Sequence, residues 1–139
     1  MSKIFINTDG GSRGNPGMAG VGVSVSDEQG EILHEECRFL GVRTNNEAEY
    51  QAVIDSLEWL LKSELKPTVI TWRLDSMLVV EQLNRHWKIK EARLQELANT
   101  CWKLLAQVKA NCSFTYIPRA ENARADSLAN QAMDQASEK

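Results

Sequence analysis

No stretch of the sequence approaches the roughly 20 consecutive apolar residues that a membrane span needs. Met1-Ser2-Lys3 leads directly into a strand pattern, not into the charged and apolar regions of a signal peptide. Cysteine is sparse and unpaired in pattern. Cys37, Cys101 and Cys112 are odd in number, far apart and without zinc-type spacing, which argues against a disulfide framework and for buried thiols in a reducing compartment. The expectation is a cytoplasmic protein with no membrane and no disulfide partner. Positive charge is not in excess either, because the formal net charge is -3, which argues against coating nucleic acid through an overall field. A local site stays open, since a bound divalent cation reverses the sign that a phosphate meets. The two histidines, His34 and His86, stand in different contexts without partner spacing, which weighs against a histidine base and a Cys-His nucleophile. No Gly-Lys-Ser/Thr follows the glycine-rich stretch, which excludes a Walker-type phosphate loop.

What is present fits one domain over residues 1–139, large enough to bury roughly two thirds of its unfolded surface, with 135–139 as a frayed tail. Ile4 and Ile6 mark a short first strand that carries Asp9 to its end, followed by the turn Gly10 to Gly17, rich in Gly, Asn and Pro. Phe5 implies partial cover on both strand faces. Val21, Val23 and Val25 mark a second strand, Asp27-Glu28-Gln29-Gly30 a hairpin turn, and Glu31 to Leu40 an antiparallel third strand. Thr44-Asn45-Asn46 offers N-cap side chains to a helix whose stripe is Tyr50, Val53, Ile54, Leu57, Leu60 and Leu61. Pro67 precedes a fourth strand, Val69 to Leu74, which delivers Asp75, and Ser76 caps a short helix to about Asn84. Arg85 to Lys90 is a basic, aromatic and irregular patch. A long helix follows on the stripe Leu94 to Val108, then a fifth strand through Cys112, Phe114 and Tyr116, a polar loop from Arg119 to Arg124, and a last helix with Asp126 in its first turn. A meander followed by strand-helix crossovers predicts one mixed sheet flanked by helices.

Asp9, Glu49, Asp75 and Asp126 all stand at strand ends or in helix first turns, so they can converge at one sheet edge. Each also has a plain structural reading: Asp9 as a turn residue, Asp75 as part of a cap with Ser76, Asp126 as a favourable charge at a helix start, Glu49 as a solvated acid. Clustered carboxylates resist ionising together, and a hard divalent cation removes that repulsion. An all-oxygen donor set without His or Cys selects Mg²⁺ or Mn²⁺ over Zn²⁺.

These residues resemble the type 1 ribonuclease H family. Thr8-Asp9-Gly10-Gly11 with Gly14-Asn15-Pro16-Gly17 looks like its first-strand signature, Thr44 to Glu49 its first-helix signature, Leu74-Asp75-Ser76 its fourth-strand signature, and Asn122 through Ala129 its last-helix signature. The match runs in the family's order from residue 3 to about 133. The resemblance implies an α/β ribonuclease H-like fold with a five-stranded mixed sheet, three antiparallel strands followed by two parallel ones. It implies that Asp9, Glu49, Asp75 and Asp126 are catalytic and bind two Mg²⁺ ions, for which Mn²⁺ can substitute. The family pattern selects Glu49 over Glu47. Gly10, Gly11, Asn15, Thr44 and Asn45 match substrate contacts, and Arg13, Trp87, Lys88 and Arg119 are further candidates. The implied activity is hydrolysis of the RNA strand of RNA/DNA hybrids, leaving 3′-hydroxyl and 5′-phosphate ends; a monomer is the default expectation. Two features depart from the family: Ile117 to Arg124 carries no histidine, so Arg119 or Glu121 would replace it, and the segment after Asn84 is short. There Arg85, Trp87, Lys88, Lys90 and Arg93 form either a small substrate surface or a solvated helix start with Trp87 as core. A sister nuclease acting on DNA junctions or double-stranded RNA, and a non-catalytic hybrid-binding module, are the alternatives.

Overall fold

The computed structural model describes residues 2–137. β1 (Lys3–Gly14), β2 (Gly17–Asp27) and β3 (Ile32–Arg43) form an antiparallel meander. β4 (Val69–Leu74) and β5 (Asn111–Tyr116) extend it in parallel, giving a five-stranded sheet in the order β3-β2-β1-β4-β5. α1 (Asn45–Lys62) joins β3 to β4, α2 (Met77–Leu83) and α3 (Ala92–Leu105) join β4 to β5, and α4 (Ala123–Ser137) follows. This is the expected mixed sheet with helices.

The two sheet faces are covered differently because β2 alternates valine with small residues. Ile4, Ile6, Val23, Val25, Ile70, Trp72 and Leu74 join Tyr50, Val53 and Leu57 of α1 and Leu94 and Leu97 of α3 in the main core. Two large polar side chains inside it are paired: Tyr50 Oη donates to Gln82 Oε1 at 2.6 Å and Trp72 Nε1 to Ser56 Oγ at 2.9 Å. On the opposite face α4 lies almost on the backbone of β2. A Cβ at Gly22 would stand 2.2 Å from the Ala125 carbonyl oxygen, so only glycine allows this approach. The helix answers with its own small residues, Ala125, Ala129 and Ala132, all buried.

Several boundaries differ from the sequence reading. The first strand does not end at Asp9; it continues to Gly14, paired with β2, and the turn is confined to Asn15-Pro16, whose peptide bond is cis. Glycine, serine and arginine carry no strand signal, yet the β2 backbone pairs with them residue by residue. Phe5 is covered by the cations of Lys3 and Arg73, 5.0 and 4.3 Å from its ring centre. α3 ends at Leu105, short of Val108. The polar loop is a 3-10 turn, Arg119–Asn122, that runs straight into α4. Trp87 is 45% exposed, which rules out the reading of it as core. The expected frayed tail is helical as far as Ser137, and Glu138 and Lys139 lie outside the described residues.

Candidate active site

The parallel ladder between β1 and β4 ends at the pair Thr8 and Leu74, so Asp9 and Asp75 emerge side by side where it stops. Asp9 lies opposite Gly22 in β2, which sets its side chain on the face that α4 covers. Glu49 comes from the second turn of α1. It reaches the strands because Gly10 lets that helix sit close: a Cβ there would be 2.1 Å from the Ala48 carbonyl oxygen. The Gly10 N–H then donates to Glu49 Oε1 at 2.9 Å. Glu47, in the same segment, is committed elsewhere. Its carboxylate accepts from the Thr44 N–H at 2.9 Å while Thr44 Oγ1 accepts from the Glu47 N–H at 3.1 Å, closing a capping box, and Arg93 pairs with it. Asp126 enters from the first turn of α4 and accepts a hydrogen bond from Arg119 Nη2 at 3.1 Å.

Asp9, Glu49 and Asp75 each present a carboxylate oxygen within 4.8 Å of the others. Asp126 is outside that trio, but its charge also acts on Asp9. Asp9 is only 7% exposed. Burial, and then the charges of Glu49 and Asp75, push its carboxyl up to about 10. Burial and the charge of Asp75 push Glu49 up to about 8, against the Gly10 N–H bond that favours its ionised form. Such a cluster cannot carry its full negative charge unaided. Its donors are carboxylate oxygens alone, the set that a hard divalent cation accepts, so the residues present fit Mg²⁺ or Mn²⁺.

The four acids line an open cleft of about 430 Å³. Gly10, Gly11, Arg13 and Arg119 line it. Asn15 and Asn45 tie the β1-β2 turn to the start of α1: Asn15 Oδ1 accepts from the Asn45 N–H at 3.1 Å, and Asn45 Oδ1 accepts from the Ser12 N–H at 2.8 Å. Thr44 serves the helix cap and does not line the cleft. Trp87 and Lys88 lie apart from it, in a second groove with Arg85, His86 and Trp102. His34 stacks on Trp59 and His86 bonds Glu81, both away from the acids. Asn46, Asn130 and Met133 line the cleft although the sequence did not single them out as site residues. The signal for Asn130 was its spacing, one turn beyond Asp126 on the same helix face.

Fold and acids together place the chain in the class described as reverse transcriptase-like, whose family model matches residues 7–132. Its relatives narrow that class. The chain is 41% identical over 137 residues to a bifunctional protein of Mycobacterium tuberculosis, covering 98% of this chain but only 37% of that protein. It is 41% identical over 134 residues to ribonuclease HI of Halobacterium salinarum, with 96% of this chain and 66% of that protein covered. The structure of LC11-RNase H1 in complex with an RNA/DNA hybrid superposes with a TM-score of 0.90 at 43% identity, covering 96% of this chain and 98% of that one. The chain belongs to the type 1 ribonuclease H family of enzymes.

Proposed function

We propose that this chain is an endonuclease that hydrolyses the RNA strand of RNA/DNA hybrids, leaving 3′-hydroxyl and 5′-phosphate ends. The observation that carries the reading is the convergence of Asp9, Glu49 and Asp75 within 4.8 Å on a chain so similar to a hybrid-bound ribonuclease. Asp9, Glu49, Asp75 and Asp126 would hold two Mg²⁺ ions, with Mn²⁺ able to substitute: Asp9 with Asp126 for one, Asp9 with Glu49 and Asp75 for the other. When bound, such a pair lowers the pKa of an attacking water and neutralises charge on the leaving oxygen of a phosphodiester.

The protein groups do the positioning. Gly11, next to Gly10 in the lining, leaves the cleft without a side chain there, so a nucleic-acid backbone can lie against β1. Asn15 and Asn45, locked to each other's segments, present amide groups suited to sugar and phosphate contacts, which carry no base information. A hybrid differs from duplex DNA by the 2′-hydroxyls of one strand, which such groups can read from a minor groove. Arg119 is 77% exposed on its bond to Asp126, and it supplies a cation and donors in the loop that lacks histidine. Trp87 and Lys88, in their separate groove, offer a stacking face and a phosphate contact for the same duplex.

The test is cleavage of an end-labelled RNA/DNA hybrid with Mg²⁺, beside duplex DNA, duplex RNA and single strands, for wild type and Asp75→Asn. Cutting of the RNA in the hybrid alone, abolished in the variant while folding and hybrid binding persist, is the expected result. Cutting of another substrate moves the function to a sister nuclease. Hybrid binding without any cutting makes the chain a binding module.

A further inference from the structure

One side-chain repeat below the acids lies a second layer, free of carboxylates. Asn7 stands two residues before Asp9 on β1 and so shares its sheet face, and Arg73 stands two residues before Asp75, which follows the end of β4. The two are register partners across the parallel pair, and Arg73 Nε donates to Asn7 Oδ1 at 2.8 Å. Asn7 Nδ2 in turn donates to Asn122 Oδ1 at 3.1 Å. Asn122, 1% exposed, closes the 3-10 turn just before α4 and sends its Nδ2 to the Thr8 carbonyl at 2.9 Å. The charge of the adjacent Glu121 also acts on Arg73. A single chain of hydrogen bonds therefore joins β4, β1 and the start of α4, the three segments that carry Asp75, Asp9 and Asp126.

We propose that Arg73, Asn7 and Asn122 are positioning residues that fix the spacing of Asp75, Asp9 and Asp126 and thereby set the affinity of the acid cluster for divalent metal ions. The physical ground is the amide pattern. Each asparagine uses its oxygen and its nitrogen at once, so neither can rotate without losing a partner, and the buried one cannot turn to water instead. Arg73 is held in place by the Phe5 ring 4.3 Å from its guanidinium. Acid spacing matters because carboxylates in the wrong place repel without coordinating, and groups that orient metal ligands are worth about 10- to 100-fold in metal affinity. The proposal rests on the reading of the acids as metal ligands, given under the proposed function.

The experiment titrates Mg²⁺ and Mn²⁺ alone into the protein by calorimetry, without nucleic acid. Wild type is compared with Asn7→Ala, Arg73→Ala, Asn122→Ala and the Asn7→Ala/Arg73→Ala pair, each first checked for folding by circular dichroism. Every single variant should bind the ions about tenfold more weakly. The pair should be no weaker than its worse single member, because one chain is cut either way. Hybrid binding measured without divalent ions should be unchanged, which a general loosening of the fold would not give. Asn122→Ala removes a buried group and risks unfolding, so Arg73→Ala, at the half-buried end, decides the matter if it does. Folded Asn7→Ala and Arg73→Ala proteins with wild-type metal affinity would overturn the relay and leave the proposed nuclease standing. A wild type that binds neither ion would overturn both.

Discussion

Gly10 and Gly11 are neighbours with different duties, and substitution separates them. A Cβ at Gly10 meets the backbone of α1 at 2.1 Å, and backbone cannot swing aside as a side-chain end can. Gly10→Ala should therefore displace α1, costing about 1–3 kcal/mol by overpacking, and carry Glu49 away from Asp9. At Gly11 the nearest atoms are the Met133 methyl at 3.8 Å and Asn45 Oδ1 at 3.9 Å, which is ordinary contact. Gly11→Ala should keep its stability but raise KM, because the new methyl group enters the cleft. Urea unfolding and hybrid-cleavage kinetics on the two variants check this; equal stability losses at both sites would refute it. The same scale shows why the residues two apart in the first helix are not equivalent. Glu47 turns back to the cap and Glu49 turns in to the strands, a division the helical period alone cannot assign.

For the element α1, the cap is where sequence and structure meet. Thr44→Ala removes the bond to the Glu47 N–H and should cost about 1 kcal/mol, whereas Thr44→Ser should retain most of it, as thermal unfolding of both would show. The Thr44 N–H bond, helped by Arg93, holds the Glu47 carboxyl below its ordinary range. Its folded value thus lies below the unfolded one, so its stabilisation is present above the unfolded value and is lost as pH falls through the folded one. Glu47→Gln should be less stable than wild type at neutral pH, with the gap closing in acid. A cap within Thr44 to Asn46 was legible in advance, as were β2, whose valines alternate, and Asp75 at the end of β4. What stayed hidden depends on partners distant in sequence. The extension of β1 rests on pairing with β2, not on the side chains of Gly10 to Gly14. The start of α4 was masked by polar residues, because burial of Asn122 comes from Asn7 and Thr8, more than a hundred positions away. Arg73 and Asn7 are likewise 66 positions apart and ordinary in a strand pattern.

Across the whole molecule, the acid cluster sets the site's chemistry against the stability of the fold. Asp9 and Glu49 have folded values raised to about 10 and about 8, above those of the unfolded chain. For a raised carboxyl the folded state holds protons that the unfolded state has already lost, so stability falls as pH rises. The metal-free protein should therefore lose thermal stability from the ordinary carboxylate range up through about 10, the value for Asp9. Divalent ions reverse the trend because they bind the ionised form and replace the protons. The rise in Tm on adding saturating Mg²⁺ should thus grow with pH over the same window, while potassium at equal ionic strength produces no such growth. Asp9→Asn supplies the complementary case. It removes the carboxyl that burial and its neighbours keep protonated at neutral pH, and with it the cost of that protonation, so the metal-free variant should be more stable than wild type at neutral pH and should lose the Mg²⁺-dependent rise. Thermal melts of both proteins across pH, with and without Mg²⁺, measure all of this. A wild-type Mg²⁺ increment that stays constant with pH would mean that the acids are already ionised without metal, and that the cluster is not what couples ion binding to folding.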